Sequence, residues 1–215
     1  KLSNQNPDVL WASVGLHPND NLEEVFDIDK YRELAKNDCV VAIGECGLDY
    51  YRSPSKEEIA RQKEIFEKQI ELAKNLNKPL ILHCRPSIGT QDAYEDVINI
   101  LNTKYQILNT NGGVVHFFSG SKETAKKFMD LGFYISFAGP ITFAPEYREV
   151  VEFVPLDKIL IETDAPFASP RPHRGKRNEP AFVEFVARKI GEWKGLDFDK
   201  VATQTHNNAK ALFKI

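Results

Sequence analysis

Short apolar runs alternate with amphipathic segments along the whole chain. The apolar runs predict six strands, near residues 10–16, 40–44, 80–82, 114–115, 133–137 and 158–161. The segments between them predict helices, one of which begins at a capping-box signature formed by Ser55 and Glu58. Strands that alternate with helices of this length are typical of right-handed βαβ units in a parallel sheet.

Six strands suit an open doubly wound sheet, whereas a closed barrel needs eight. The G-x-G-x-x-G fingerprint of dinucleotide-binding folds does not follow the strand that ends at Gly44. Metal-type residues after several strands are typical of a barrel. We therefore predict an α/β fold of the TIM-type (β/α) barrel kind, with about six of eight strands present and a single domain over residues 1–215.

The composition excludes several classes of protein. Hydrophobic residues make up 42% and charged residues 27%, with a net charge of -3, which indicates neither disorder nor a strongly basic nucleic-acid binder. The three cysteines lack metal-ligand spacing and favour reduced thiols that serve as packing residues. No apolar segment has the length of a membrane span. We expect a soluble cytoplasmic protein without a membrane partner.

Four residues that often bind metals follow four of the predicted strands: Glu45, His83, His116 and Asp164. One histidine after a strand is more often a structural residue, but four such placements together indicate a shared site. In a parallel barrel the carboxyl ends of the strands meet on one face, where distant side chains can surround an ion.

This set of residues predicts hydrolytic metal chemistry. Imidazole with carboxylate suits Zn²⁺, Mn²⁺, Fe or Ni, whereas oxygen ligands alone favour Mg²⁺ or Ca²⁺. Glu45 is the candidate bridge between two ions, and His83 and His116 complete one of them. Asp164 binds the other ion or accepts a proton from its water, so Glu45 and Asp164 are the candidate catalytic residues. The expected cofactors are up to two divalent ions, with Mg²⁺, Mn²⁺ and Zn²⁺ as candidates.

A basic segment at residues 172–178, which we call the basic loop, follows the strand that leads to Asp164. Such a segment is usually a solvated surface loop, but barrels often bind phosphate on the catalytic face. We therefore predict that His173, Arg174 and Arg177 contact a phosphate group.

Several motifs resemble those of the TatD-type metal-dependent deoxyribonucleases. They occur in family order through essentially the whole chain: GLHP at 15–18, GECGLDYY at 44–51, HCR at 83–85, HFFSG at 116–120, ETDAP at 162–166 and RGKRNEP at 174–180. The resemblance implies a TIM barrel of the amidohydrolase type. It also implies a divalent-metal phosphodiesterase acting on DNA, often as a 3′ to 5′ exonuclease.

The resemblance further implies that Glu45 bridges two metals, that His83 and His116 hold one, and that Asp164 holds the other. The predicted reaction is hydrolysis of a phosphodiester by a metal-activated water, with single-stranded DNA or 3′ ends as substrate.

Further substrate contacts are expected outside the ligand set. Arg85 joins Arg174 and Arg177 as a predicted phosphate contact, supported by Ser119. His17 is predicted to line the pocket or to orient the substrate.

The sequence departs from the family pattern at one point, because it contains no His-x-His pair. In the family this pair lies on the first strand and supplies two ligands to the metal of Asp164. Two βα units of roughly 30 residues each would precede Lys1. The chain is thus either a fragment or shortened gene product, or a natural variant that fills the gap otherwise. We expect it to hold one metal more readily than two, and to self-associate through open barrel edges.

Two alternatives remain open. The first is an amidohydrolase-type enzyme acting on a small amide, ester or lactone; a carbamylated lysine ligand would favour it, but no lysine stands at the place of Glu45. The second is an inactive nucleic-acid-binding remnant, since the His-x-His ligands are absent. Metal-dependent release of nucleotides distinguishes the nuclease from the remnant.

Overall fold

The computed structural model describes residues 2–7, 9–20, 24–104 and 112–215, which contain six strands and eight α-helices. The strands are β1 (Ala12–Val14), β2 (Val40–Asp49), β3 (Leu80–Arg85), β4 (Gly113–Val115), β5 (Phe133–Phe137) and β6 (Ile159–Ile161). The helices are α1 (Leu2–Gln5), α2 (Ile28–Ala35), α3 (Lys56–Leu76), α4 (Asp92–Lys104), α5 (Lys122–Asp130), α6 (Arg148–Phe153), α7 (Val183–Lys194) and α8 (Phe198–Phe213). The predicted alternation of strands and helices is confirmed.

The chain divides into two compact units. The first unit comprises Lys1–Val114 with Leu212–Ile215, and the second comprises Val115–Ala211. In the first unit β1 pairs with β2 and β2 with β3, both in parallel. In the second unit β5 and β6 form a parallel pair, with Ile135 opposite Ile159. Within each unit the neighbouring strands follow the order of the chain.

Helix α3 of the first unit has the termini that its sequence predicts. The Ser55 side chain accepts a hydrogen bond from the Glu58 backbone N–H, and the Glu58 carboxylate accepts one from the Ser55 N–H. The helix ends at Asn77, which adopts a left-handed conformation. Its apolar face is buried through Phe66 and Ile70, as the helical spacing of these residues predicts.

The second unit has its own apolar core. Phe128, Phe133, Phe137, Val151 and Ile190 are each 0% exposed. The helix predicted over 121–131 is α5, with Ser121 as its N-cap. Pro180 begins a short 3₁₀ turn that leads directly into α7, so its predicted place at the start of a helix is confirmed to within one turn.

Two strands extend beyond the apolar runs that predicted them. β2 continues through Glu45 to Asp49 because it remains paired with β3, with Gly47 opposite His83. The prediction that Glu45 and His83 come directly after a strand is therefore wrong: both lie within strands. His116 does follow β4 directly, and Asp164 lies three residues after the end of β6.

Close approach of the backbones explains the glycines of β2. A Cβ atom on Gly47 would lie 2.1 Å from the carbonyl oxygen of His83, and one on Gly44 would lie 2.6 Å from the Cβ of Ile81. The register between β2 and β3 shifts between Gly44 and Cys46, at Glu45. Irregularities of this kind re-aim a side chain, and this one falls at a predicted metal ligand.

The cysteines are free thiols, as predicted. Cys46 and Cys84 are buried, and burial raises the pKa of each thiol above its usual value. Cys39 is half-buried, and its thiol donates to the Asn4 side-chain oxygen at 3.0 Å.

None of the helices within the described residues is long and apolar enough to cross a membrane.

Candidate metal centre

Three side chains with metal-binding atoms converge in the first unit. His17 follows β1, Glu45 lies in β2 and His83 lies in β3. His17 Nε2 lies 3.2 Å from His83 Nδ1. Glu45 Oε2 lies 3.8 Å from His17 Nε2 and 3.6 Å from His83 Nδ1. A tetrahedral ion with bonds of about 2.1 Å holds its ligand atoms about 3.4 Å apart. The 3.6 Å between Glu45 Oε2 and His83 Nδ1 therefore fits two ligands of one transition-metal ion.

Asp49 orients the His83 ring. Its Oδ2 atom lies 2.9 Å from His83 Nε2, and its side chain is 1% exposed. Burial opposes ionisation of Asp49, but hydrogen bonds from His83, Asn19 and the Tyr51 N–H hold its pKa below the usual value. The carboxylate keeps a proton on His83 Nε2, so the lone pair of Nδ1 faces Glu45 and His17.

His17 has the opposite arrangement of proton and lone pair. The backbone N–H of Asn19 donates to His17 Nδ1 at 3.2 Å, which places the proton of the neutral ring on Nε2. Burial and the neighbouring His83 lower the pKa of His17, against the opposing effect of Glu45, and so favour the neutral ring. His17 therefore presents a donor into the cluster. This geometry suits a residue that orients a substrate oxygen better than a metal ligand.

Two glutamines of α3 hold the segments that carry these side chains. The amide of Gln69 accepts from the Leu16 N–H at 2.7 Å and donates to the Leu16 carbonyl at 3.1 Å. The amide of Gln62 pairs with the backbone of Asp49 in the same way, at 2.8 and 3.1 Å. Both glutamines are buried and lie on one face of the helix, two turns apart. Helix α3 thus fixes the backbone next to His17 and at Asp49.

Arg85 places a positive charge two residues after His83 in the same strand. Its guanidinium lies 3.8 Å from the centroid of the Tyr51 ring, and both side chains are exposed. The stacking restricts the arginine while its charge stays in contact with solvent.

The second unit contains a comparable acid–histidine pair. His116 Nδ1 lies 2.7 Å from Glu162 Oε1, which also accepts from the Phe117 N–H at 3.1 Å. The Ser136 hydroxyl donates to the other Glu162 oxygen. Glu162 therefore fixes His116 as Asp49 fixes His83, and leaves His116 Nε2 as the nitrogen suited to a metal.

Asp164 also lies in the second unit, half-buried, two residues after Glu162 and with a φ of 57°. The structure thus groups Glu45 and His83 with His17 in the first unit. It places His116 and Asp164 in the second unit.

The basic loop supports its predicted side chains in different ways. The His173 ring stacks on Phe182 with centroids 3.9 Å apart, whereas the Arg174 guanidinium lies 4.2 Å from the Phe143 ring centroid. Arg174 and Arg177 are exposed, as is Ser119. Neither guanidinium forms an ion pair with any residue that the structure describes.

Three residues of the site were not predicted from the sequence: Asn19, Asp49 and Glu162. Asp49 and Glu162 lie within family motifs, but the motifs do not show which histidine each one contacts. One signal was available: Glu45 and Asp49 are four positions apart, a spacing that places both side chains on one face of a regular strand. Asn19 had no such signal, because its contacts with His17 and Asp49 depend on how a loop folds back.

Parallel strands separated by helices, with acid–histidine pairs in and just after the strands, define a class: a metal-dependent hydrolase on an α/β fold. Comparison with known proteins gives the family. The model of the family described as TatD related DNase matches residues 1–214. The chain belongs to this family.

Similar proteins and a solved structure support the same family. The chain is 46% identical over 211 residues to YabD of Bacillus subtilis (strain 168), an uncharacterized metal-dependent hydrolase, across 97% of this chain and 79% of YabD. It is 35% identical over 223 residues to the 3'-5' ssDNA/RNA exonuclease TatD of Rahnella sp. (strain Y9602), across 100% of this chain and 81% of that protein. The crystal structure of YjjV, a TatD homologue from Escherichia coli K12, is similar with a TM-score of 0.86 and 31% identity, across 100% and 80% of the two chains.

These findings confirm the predicted family, the α/β fold of TIM-barrel type with six strands, and a metal-dependent hydrolase. The name of the Rahnella relative associates that protein with nucleic acid. The single domain, the cytoplasmic location, the number of ions and self-association stay predictions.

Proposed function

We propose that this chain hydrolyses phosphodiester bonds of DNA, as a 3′ to 5′ exonuclease on single strands. One observation carries the proposal: both predicted histidine ligands are held by buried or half-buried carboxylates, His83 by Asp49 and His116 by Glu162. Metal-ligating histidines nearly always have such a partner on the second ring nitrogen. The name of the Rahnella relative, a 3'-5' ssDNA/RNA exonuclease, supports the substrate class.

In this proposal Glu45 and His83 of the first unit hold a divalent ion. The family resemblance implies that His116 and Asp164 of the second unit are metal ligands as well. When bound, the metal supplies an activated water and neutralises negative charge on the phosphate. Asp164 accepts the proton that the attacking water loses. We propose that the ion at Glu45 and His83 is held more tightly than a second, because these two side chains already stand at the spacing of metal ligands.

Substrate is held by residues outside the ligand set. Arg85, Arg174 and Arg177 bind phosphate oxygens, since each is exposed and carries a charge that no carboxylate among the described residues neutralises. His17 donates its Nε2 proton in a hydrogen bond to a substrate oxygen. Because burial keeps the pKa of His17 low, this donor is the neutral ring at neutral pH.

Glu45→Ala tests the proposal, because it removes a ligand from the centre of the cluster. We expect metal content and nucleotide release to fall together. Release is measured on single-stranded DNA labelled at its 5′ or 3′ end, with Mg²⁺, Mn²⁺ or Zn²⁺ and with EDTA. Metal content is measured by elemental analysis after dialysis. Glu64→Ala is the control, since Glu64 is an exposed residue of α3 paired with Lys68.

Each other result has a definite meaning. Unchanged turnover in Glu45→Ala would refute the role of Glu45, and two tightly held ions per chain would refute the expected single occupancy. DNA binding without release, with a steep salt dependence, would show the inactive remnant. Hydrolysis of a small amide, ester or lactone in place of DNA would show the amidohydrolase-type alternative.

A further inference from the structure

We propose that Phe167 and Arg177 form a nucleotide subsite next to Asp164, in which Phe167 stacks on a base and Arg177 contacts a phosphate. The inference rests on the proposed function and deepens it, because it names side chains that recognise the end of a single strand. All three residues lie in the second unit.

Phe167 is unusually exposed for a phenylalanine of this chain. Its exposed fraction is 69%, whereas Phe118, Phe128, Phe133 and Phe137 of the same unit are at most 1% exposed. A phenyl ring left in water gives up the free energy that burial would supply. Phe167 also lies three residues after the predicted catalytic carboxylate.

The backbone that presents this ring is firmly held. The Phe167 N–H donates to the Asp164 carbonyl at 2.8 Å. The Asn178 side-chain amide donates to the carbonyls of Phe167 and Thr163, each at 2.6 Å, and the Asn178 N–H donates to the Pro166 carbonyl at 3.1 Å. Asn178 is 2% exposed. Because these bonds fix the segment from 163 to 167, little conformational entropy is lost when the ring binds a ligand.

The same hydrogen bonds bring the backbone next to Arg177 against the segment that carries Phe167. Arg177 directly precedes Asn178, which contacts the segment through three hydrogen bonds, so Arg177 lies next to the segment that carries Phe167. Arg177 is exposed and has no ion-pair partner within the described ranges. Arg174, held against the Phe143 ring in the same loop, adds a second positive charge.

An exposed aromatic ring and exposed arginines on adjoining segments match the way proteins bind single-stranded nucleic acid, by stacking on bases and by charge on the backbone. The last base of a single strand can turn onto a ring without breaking a base pair, whereas the last base of a duplex must first unpair. The pairing of Phe167 with Arg177 therefore favours a single-stranded DNA end over a duplex, a peptide or a lipid surface.

Phe167→Ala tests the stacking. On 5′-labelled oligothymidylate we expect KM to rise about 5- to 150-fold, with a smaller change in kcat, since one stacked base contributes this much to binding. Phe167→Trp should restore KM. When the terminal nucleotides are abasic, wild type and Phe167→Ala should become equal, because neither has a base to stack. Phe153→Ala is the control, as Phe153 is 41% exposed on α6.

Binding can be followed without turnover. The Phe167→Trp variant has one tryptophan more than the wild type, which contains Trp11 and Trp193. In EDTA, oligothymidylate should quench this additional fluorescence. Arg177→Ala should weaken binding of all sequences alike and lower the slope of log affinity against log salt by about 1.

The outcomes separate this inference from the proposed function. DNA cleavage with an unchanged KM in Phe167→Ala overturns the subsite and leaves the nuclease. If Phe167→Trp is quenched but the wild type does not cleave DNA, the subsite is supported and the nuclease is overturned. Neither quenching nor cleavage overturns both.

Discussion

Asp49 and Glu162 each hold a histidine by one ring nitrogen and so decide which nitrogen is available to a metal. The effect is local, since it depends on one hydrogen bond in each pair. Asp49 is the more buried of the two carboxylates, with its side chain 1% exposed. It accepts hydrogen bonds from Asn19 and the Tyr51 N–H as well as from His83.

Asp49→Asn should lower the affinity of the chain for Mn²⁺ or Zn²⁺ about 10- to 100-fold, as loss of a carboxylate behind a ligating histidine does. The amide has one acceptor oxygen for three donors, so His83 loses its fixed orientation. Titration calorimetry of metal-free protein measures the change. Asp130→Asn, at an exposed position of α5, should have no effect, and equal affinity in both variants would remove Asp49 from the site.

At the scale of single residues, the sequence predicted Glu45 and His83 because histidine and glutamate next to apolar runs stand out. It did not assign Asp49, because a ligand and the carboxylate behind a ligand have the same chemistry. Only the distance from Asp49 to His83 Nε2 separates the two roles.

Helix α3 connects stability to the site at the scale of elements. Gln62 and Gln69 stand on its buried face and bind the backbone of Asp49 and Leu16 in place of apolar contacts. The helix therefore fixes the backbone at Leu16, just after β1, relative to Asp49 at the end of β2.

Gln69→Ala should lower the free energy of unfolding by about 1–3 kcal/mol or more, because the buried N–H and carbonyl of Leu16 both lose their partner. Urea denaturation measures the loss. Glu71→Ala is the matched control on the exposed side of the same helix. Equal stability of the two variants would mean that water replaces the glutamine without cost.

The elements themselves were largely predictable. Apolar runs and helical spacing report burial, so all six strands and the capping box of α3 were found. The end of β2 was not predicted, because residues 46–49 belong to the strand only through their pairing with β3. Pairing is a long-range property and leaves little trace in local composition.

At the scale of the whole molecule, the start of the first unit exposes apolar side chains. Val9, Leu10 and Trp11 are 70%, 42% and 39% exposed, directly before β1. Among the described strands of this unit, β1 pairs with β2 alone. An unpaired strand edge beside an apolar patch favours association.

We therefore expect the 215-residue chain to associate as its concentration rises, which sedimentation velocity measures. The double variant Val9→Lys/Trp11→Lys should shift the chain towards monomer, since charge disfavours edge pairing. Ile88→Lys is the control, because Ile88 is 80% exposed elsewhere in the unit. A chain that sediments as a monomer at all concentrations would refute the expectation.

The two carboxylates around His83 also have a consequence for the order of events. Glu45 and Asp49 both bring negative charge to one histidine, and a phosphodiester is itself an anion. Before a cation binds, this part of the first unit repels the backbone of a nucleic acid. In the proposed nuclease a bound cation offsets part of this repulsion, so the strand should bind near Glu45 and His83 more tightly after the metal than before it.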